Sequence, residues 1–213
     1  PWTELPARAR ARDVDLVVAD LREIAEQSDF ESRPLSVHRL YVVCRAGHPL
    51  ATLPASTVQD VFRFPMAGPQ LPRPAFERLC AMAPQPMRAA LRKQGTLTIE
   101  CDSSPLLKAV VMGSDAVSMM CPFMLDVELA GGHLVVLRDL DLGIRARFGA
   151  AWIAGRTVSA ATSTFVDLLQ VHDLEAHASE LNAGRTDRPR KAPARPAVAR
   201  AATKARNRAA MTG

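Results

Sequence analysis

The stretch Leu40-Tyr41-Val42-Val43-Cys44-Arg45-Ala46-Gly47-His48-Pro49-Leu50-Ala51 constrains the fold more than any other, because it reads as a buried strand that stops abruptly on a Gly and a Pro. Just upstream, Asp13-Val14-Asp15-Leu16-Val17-Val18-Ala19-Asp20-Leu21 is a second apolar run of strand length, rich in β-branched residues and closed by an acid. A strand such as Val14 to Ala19, apolar on both faces, belongs inside a sheet covered by helices.

Between these runs lies a polar stretch to Arg33, followed by a strand near Arg39 to Cys44. Thr57 is placed to cap a short helical turn over Val58 to Val61, and Arg63 to Ala67 reads as a brief strand. Pro72-Arg73-Pro74 opens a helix with Phe76, Leu79 and Cys80 at helical spacing, interrupted by Pro84 and Pro86. Thr96 to Cys101 and Ala116 to Met120 are expected strands, with a helix over Ser104 to Met112 between them. Pro122 to Ala130 is then an expected helix, and Leu134 to Leu137 a strand. Strands alternating with helices of about ten residues indicate parallel βαβ units. Arg147 to Ala154 adds one more strand, and Ser159 caps a final helix whose Phe165, Leu168 and Leu169 form a stripe expected in the core.

At 213 residues and 48% hydrophobic content the chain can bury a substantial core, as one large domain or two small lobes. No run reaches the ~18 uncharged apolar residues of a membrane span, and no signal peptide is visible at Pro1. The four cysteines at 44, 80, 101 and 121 are far apart without a CxxC pair, so they read as free thiols of a reducing cytosol. The histidines give no ligand spacing either: His172 and His177 fall on different helix faces, and His133 follows a Gly-Gly turn, so no metal site is expected. No cofactor is expected.

The basicity is concentrated at one end. Arg185 to Gly213 carries nine Lys/Arg and one Asp, a net +8, which leaves −3 on the other 184 residues. This Ala/Pro/Arg-rich tail has no apolar period and is expected to be disordered; it would serve either for nonspecific phosphate contacts or simply for solubility.

Three strand-to-helix junctions share one chemistry, with Pro72, Pro105 and Pro122 each where a first helical turn begins. At the carboxyl ends of parallel strands such helix starts aim free N–H groups and positive dipole ends at one crevice, a field suited to a small anion. Catalysis is the competing use. Ser103 is a conceivable nucleophile, but no His lies near any junction and Asp102 alone is a poor base for a hydroxyl. The sequence has no GxSxG elbow, Walker loop, HExxH or GxGxxG, so no reaction is fixed by motif and a non-enzyme is expected.

The residues Asp13 to Leu21 and Leu40 to Ala51, the Thr57-Val58-Gln59-Asp60-Val61 segment, Asp115 to Pro122 and Glu128 to Leu137 occur in an order that resembles the effector-sensing domain of LysR-type transcriptional regulators. The similarity runs from about Asp13 to Leu169. It implies an α/β, type 2 periplasmic-binding-protein-like fold of two lobes with parallel-rich sheets. The first lobe is expected to be incomplete: residues 1–12 are a remnant of an upstream segment, residues 13–36 and 143–184 form lobe I, 37–142 form lobe II, and 185–213 are the tail. Crossings between lobes are expected at Ala19-Asp20-Leu21 and Leu142-Gly143-Ile144.

By the same resemblance the effector cleft is carried to Gln70, Leu71, Arg73, Ser103, Ser104, Cys121 and Pro122. Gln70 and Arg73 would orient a carboxylate, Ser103 and Ser104 would hold polar oxygens, and Leu71 would supply an apolar wall. The implied protein is a cytoplasmic, bacterial homodimer or homotetramer that reads DNA through a winged helix-turn-helix not visible in this sequence, without contact to a membrane. A periplasmic-type solute receptor is the alternative on the same fold, and an enzyme a more distant one.

Overall fold

The computed structural model describes residues 2–22, 24 and 27–186. Residues 1–181 form one compact unit; of the second unit, 182–213, only the residues that end the last helix are described. The expected disordered tail therefore lies outside the described residues, apart from Arg185 and Thr186.

A 3-10 turn at Trp2–Glu4 leads into α1 (Leu5–Arg10), β1 (Val17–Asp20), β2 (Phe30–Arg39) and β3 (Tyr41–Arg45). The short helices α2 (Pro49–Thr52) and α3 (Val58–Val61) precede β4 (Met66–Gly68), α4 (Arg73–Met82), α5 (Gln85–Gln94) and β5 (Ile99–Glu100). Then come α6 (Ser104–Gly113), β6 (Val117–Met120), a 3-10 turn at Pro122–Met124, α7 (Asp126–Ala130), β7 (Leu134–Leu137), β8 (Arg145–Ile153) and α8 (Ala160–Thr186). Residues 2–12, expected only as a remnant, thus include a turn and a helix whose Ala9 is buried against the three-stranded sheet described below.

The strands form two sheets. One has three strands in the order β1-β8-β2, the other five in the order β5-β4-β6-β3-β7. β4 runs parallel to β5 and β6, whereas β3 is antiparallel to β6 and β7, and both pairs of the three-stranded sheet are antiparallel. The α/β alternation thus produces a mixed fold whose parallel pairing, among the described residues, is that of β5-β4-β6. Only the end of the polar stretch before Arg33 is strand: from Phe30 it enters the ten-residue β2, which tolerates Pro34 because it lies at a sheet edge with a register shift between Pro34 and Val37.

The chain passes between the sheets at Leu40, which joins β2 to β3, and again between β7 and β8. Ala19-Asp20-Leu21 lies instead at the end of β1, and Val37 to Arg39 belong to the three-stranded sheet. Leu142-Gly143-Ile144 does lie on the second crossing. There Gly143 has φ +62, and Arg78 of α4 donates to the Leu142 carbonyl at 2.5 Å, its guanidinium filling the space a Cβ on Gly143 would need.

β3 is buried along both faces, which explains its uninterrupted apolar run. Val42 and Cys44 pack with Leu79, Val117 and Ile144, while the alternate Val43 packs with Leu107, Val111 and Leu125 on the other face. A third cluster, with Val17, Leu21, Ile24, Phe30 and Ala151, covers the three-stranded sheet. Gly149 in the middle of β8 is where that sheet is tightest: an added Cβ would lie 2.8 Å from the Arg33 carbonyl oxygen and collide with Leu21. Gly149→Ala is expected to lower stability by about 1–3 kcal/mol through overpacking, measured as a shift in the urea midpoint.

The cap on α3 is as expected, with Thr57 and Asp60 forming a reciprocal capping box. Ser159 Oγ likewise accepts from Thr162 N at the start of α8. The apolar stripe of α8 points elsewhere than expected. Phe165 and Leu168 are 51% and 54% exposed, and the helix instead turns Val166 and polar side chains toward the protein. Among the described residues no helix is long and apolar enough to cross a membrane.

Candidate functional site

The two sheets and the amino-terminal helix enclose a cavity of about 480 Å³. β1 contributes Val18, Ala19 and Asp20, and β8 contributes Ala146 and Phe148. Facing them, β4 supplies Ala67 and Gly68, β6 supplies Met119 and Met120, and α6 supplies Ser104 and Leu107. Leu40 lines it at the crossing, and Trp2, Leu5 and Arg8 close one side. Trp2 Nε1 donates to the Gln70 carbonyl at 2.9 Å, tying the amino-terminal turn to the loop between β4 and α4.

Most of this surface is apolar, so its charged groups decide what can be oriented in it. Arg22 is already paired: its Nε and Nη2 meet the two oxygens of Asp20 at 2.8 and 2.5 Å. Asp20 also accepts from the Arg147 backbone N–H at 3.3 Å, which fixes the pair against β8. Arg8 is exposed on the cleft and, among the described residues, makes no ion pair. Among the described residues of the cleft Arg8 is thus the cation without an ion pair, and the carboxylates Glu4 and Asp102 line the same space.

The seven positions named from sequence divide among several surroundings. Gln70, Leu71 and Ser104 line the cleft. Arg73, in the first turn of α4, lines a neighbouring cavity of about 420 Å³ with Phe76, Gln94 and Glu100. Ser103 occupies the cap position of α6, yet its hydroxyl makes no cap hydrogen bond and it is not among the cleft residues. Cys121 is fully buried and Pro122 opens a 3-10 turn of three residues; neither lines the cleft, although Met124 of that turn does. Burial, reinforced by nearby Glu180, pushes the Cys121 thiol up to about 12, so it stays neutral.

Trp2, Leu5, Arg8, Leu40 and Phe148 are cleft residues that the junctions did not indicate. They come from segments distant in sequence, and nothing local marks them. Met119 and Met120 were readable as an apolar pair but not as a wall of the cleft. All four cysteines are free, with Cys101 half-buried and on the cleft and the other three buried. Cys44 is held at about 11 by burial, like Cys121 far from an active thiolate.

His48 is fully buried for a structural reason: Nδ1 accepts the Leu50 N–H at 3.0 Å at the start of α2, while Nε2 donates to the Asp115 carbonyl at 3.1 Å. His38 is also buried, but its surroundings are charged, contrary to the expectation of uniformly unremarkable histidines. Its Nε2 lies 2.8 Å from Asp173 and its Nδ1 3.1 Å from Glu180. Asp173, His177 and Glu180 are one helical face of α8, at spacings of four and three.

Two sheets joined by two crossings around a largely apolar cleft define a two-lobed ligand-binding domain of the periplasmic-binding-protein-like type. Residues 1–173 match the LysR substrate binding domain family, and the chain belongs to that family. A curated relative, the SDS degradation transcriptional activation protein of a Pseudomonas species, is 32% identical over 177 residues. That alignment takes in 81% of this chain and 55% of the relative, so the chain spans about half the relative's length.

Solved structures agree in fold. The regulatory domain of Synechocystis CcmR in complex with 2-PG superposes with a TM-score of 0.54 at 22% identity, covering 80% of this chain and 78% of that one. The effector binding domain of QuiR in complex with shikimate gives 0.56 at 18% identity, covering 82% and 78%. The regulatory domain of MetR from N. meningitidis gives 0.55 at 15% identity, covering 80% and 76%.

Proposed function

We propose that this domain senses a small amphiphilic anion, with its apolar body between the sheets and its charged end at Arg8, and so controls transcription in a cytoplasmic regulator. The observation that carries the reading is the composition of the cleft: Leu5, Leu40, Leu107, Met119 and Phe148 form walls for a hydrocarbon, and Arg8 stands beside them without an ion-pair partner among the described residues. The Pseudomonas relative is named for activating the degradation of SDS, an alkyl chain ending in an anionic sulfate, which has this same division of chemistry. The CcmR and QuiR domains, with 2-PG and shikimate, support a small ligand in the same kind of fold.

In the complete regulator a winged helix-turn-helix would read DNA, and effector binding would favour one arrangement of the lobes or subunits over another by differential affinity. The outward Phe165, Leu168, Val171, Leu174 and Leu181 of α8 support a homodimer or homotetramer. Binding rather than catalysis fits the cleft, because the described residues that line it include no His or Lys to act as a base beside Ser104.

Titration calorimetry with submicellar dodecyl sulfate and with dodecanol tests the reading. Dodecyl sulfate is expected to bind the more tightly, and Arg8→Ala to reduce its affinity about tenfold, the worth of one charge-assisted bond, with little change for dodecanol. The difference should shrink as salt is raised, because Arg8 is exposed. Equal binding of sulfate and alcohol would remove the anionic end from the proposal, and failure of both to bind would remove the amphiphile.

A further inference from the structure

We infer that His38, His177 and Glu180 form a binding site for a divalent transition cation of the zinc class, at the seam between β2 and α8. One ligating atom from each of the three lies within 4.8 Å of the others. His38 Nδ1 and Glu180 Oε2 are 3.1 Å apart, close to the spacing of about 3.3 Å between two ligands at 2.0–2.1 Å from a tetrahedral ion.

The two carboxylates that face the His38 ring call for a positive charge between them. A neutral imidazole has one N–H. If His38 Nε2 uses it toward Asp173 at 2.8 Å, the Nδ1 lone pair faces the Glu180 carboxylate at 3.1 Å. Two lone pairs on buried atoms repel unless a proton or a metal ion lies between them. A proton alone leaves the cluster short of charge, because the Asp173 and Glu180 side chains are only 8% and 11% exposed and together carry two negative charges against one imidazolium. A divalent ion balances both.

His177 supplies the independent sign. Its Nδ1 is buried and has no hydrogen-bond partner among the described residues, an arrangement that costs free energy unless a ligand takes up the nitrogen. Its ring stands 5.5 Å from that of His38 at 87°. Asp173 then holds the outer position common to metal-bound histidines, a carboxylate accepting the other ring N–H and fixing its tautomer. Arg39 does not supply the missing charge, since its guanidinium is directed to Asp141 at 3.0 Å and over the Tyr41 ring. Only its backbone N–H reaches Glu180.

The test uses the full 213-residue chain, free of affinity tags and stripped with a chelator. Zinc is expected to bind with a stoichiometry of one and to raise Tm. Cobalt should show the visible bands of a four- or five-coordinate ion. His177→Ala and Glu180→Gln should each weaken zinc at least tenfold, and Asp173→Asn by about 10–100-fold. His172→Ala, at an exposed neighbour, should leave binding unchanged. The inference is overturned if zinc binds these cluster variants as tightly as the parent chain, if His172→Ala abolishes binding, or if nitrogen NMR with zinc present shows both ring nitrogens of His38 still protonated. Far-UV circular dichroism of each variant separates lost ligands from lost folding, and His177→Gln, which keeps a polar group of similar reach, must also lose zinc.

Discussion

Replacing His38 with alanine, in the presence of a chelator, should lower stability by about 3–5 kcal/mol, the scale on which removal of one member of a buried charged group is felt. The loss comes from what is left behind. Asp173 and Glu180 remain largely buried, Asp173 hydrogen-bonded to Ser36 and Glu180 to the Arg39 backbone N–H, with no cation between them. Adding Asp173→Asn and Glu180→Gln to the alanine variant should restore part of the lost stability by removing both anions, so the three effects will not add. Urea unfolding at neutral pH measures the parent, the three single variants and the triple variant; if His38→Ala costs no more than the exposed His172→Ala, the charges are not buried in solution.

The pH dependence has a definite sign. Burial raises the Asp173 carboxyl, but hydrogen bonds from His38 and Ser36 outweigh it and hold the group below the ordinary value of 3.8. The stability it contributes is therefore fully present above about pH 4 and is lost as pH falls through its lower folded value.

The second large effect should come from Leu79→Ala, about 2–5 kcal/mol, because Leu79 is fully buried against Val42, Val117 and Leu142. Leu168→Ala, the same change on α8, should stay within about 0.5 kcal/mol, since that side chain is 54% exposed. Urea midpoints with equal slopes, taken at dilutions where the domain is monomeric, would establish the contrast, and a loss at Leu168 that grows with protein concentration would mark the outer face of α8 as the one that subunits share.

These two leucines also show what could be read in advance. Leu79, Val42 and Leu134 were legible because α4, β3 and β7 are apolar where they are buried, and Pro or Gly marks their ends. α8 misleads because polar side chains share its inner face with Val166. β2 presents Ser36, His38 and Arg39 to it, so Asp173 and Glu180 turn inward and the leucines outward, while Asp167 meets Arg33 at the surface. The same reversal hid the metal-ligating group. The 173-177-180 spacing is visible in the sequence, but its partner His38 falls between the polar stretch read to Arg33 and the strand expected near Arg39.

The cleft was half legible. Pro72, Pro105 and Pro122 correctly mark the chain turns after β4, β5 and β6, which locates Gln70, Leu71 and Ser104. A helix start does not determine where its long side chains point, and Arg73 leaves toward the second cavity. The opposite wall is assembled from Trp2, Arg8 and Phe148, whose neighbours in sequence give no hint of a common destination.

The hydrogen bonds from Ser36 N and Arg39 N to α8 have a consequence for the behaviour of the domain in a crowded solution. β2 is the outer strand of its sheet, and such a border ordinarily offers a row of backbone donors to any extended chain that meets it. Here two of those donors are occupied by carboxylates that no foreign strand can easily displace. The helix acts as a gatekeeper along that border, so any change that frees its carboxylates also makes the sheet a template for aggregation.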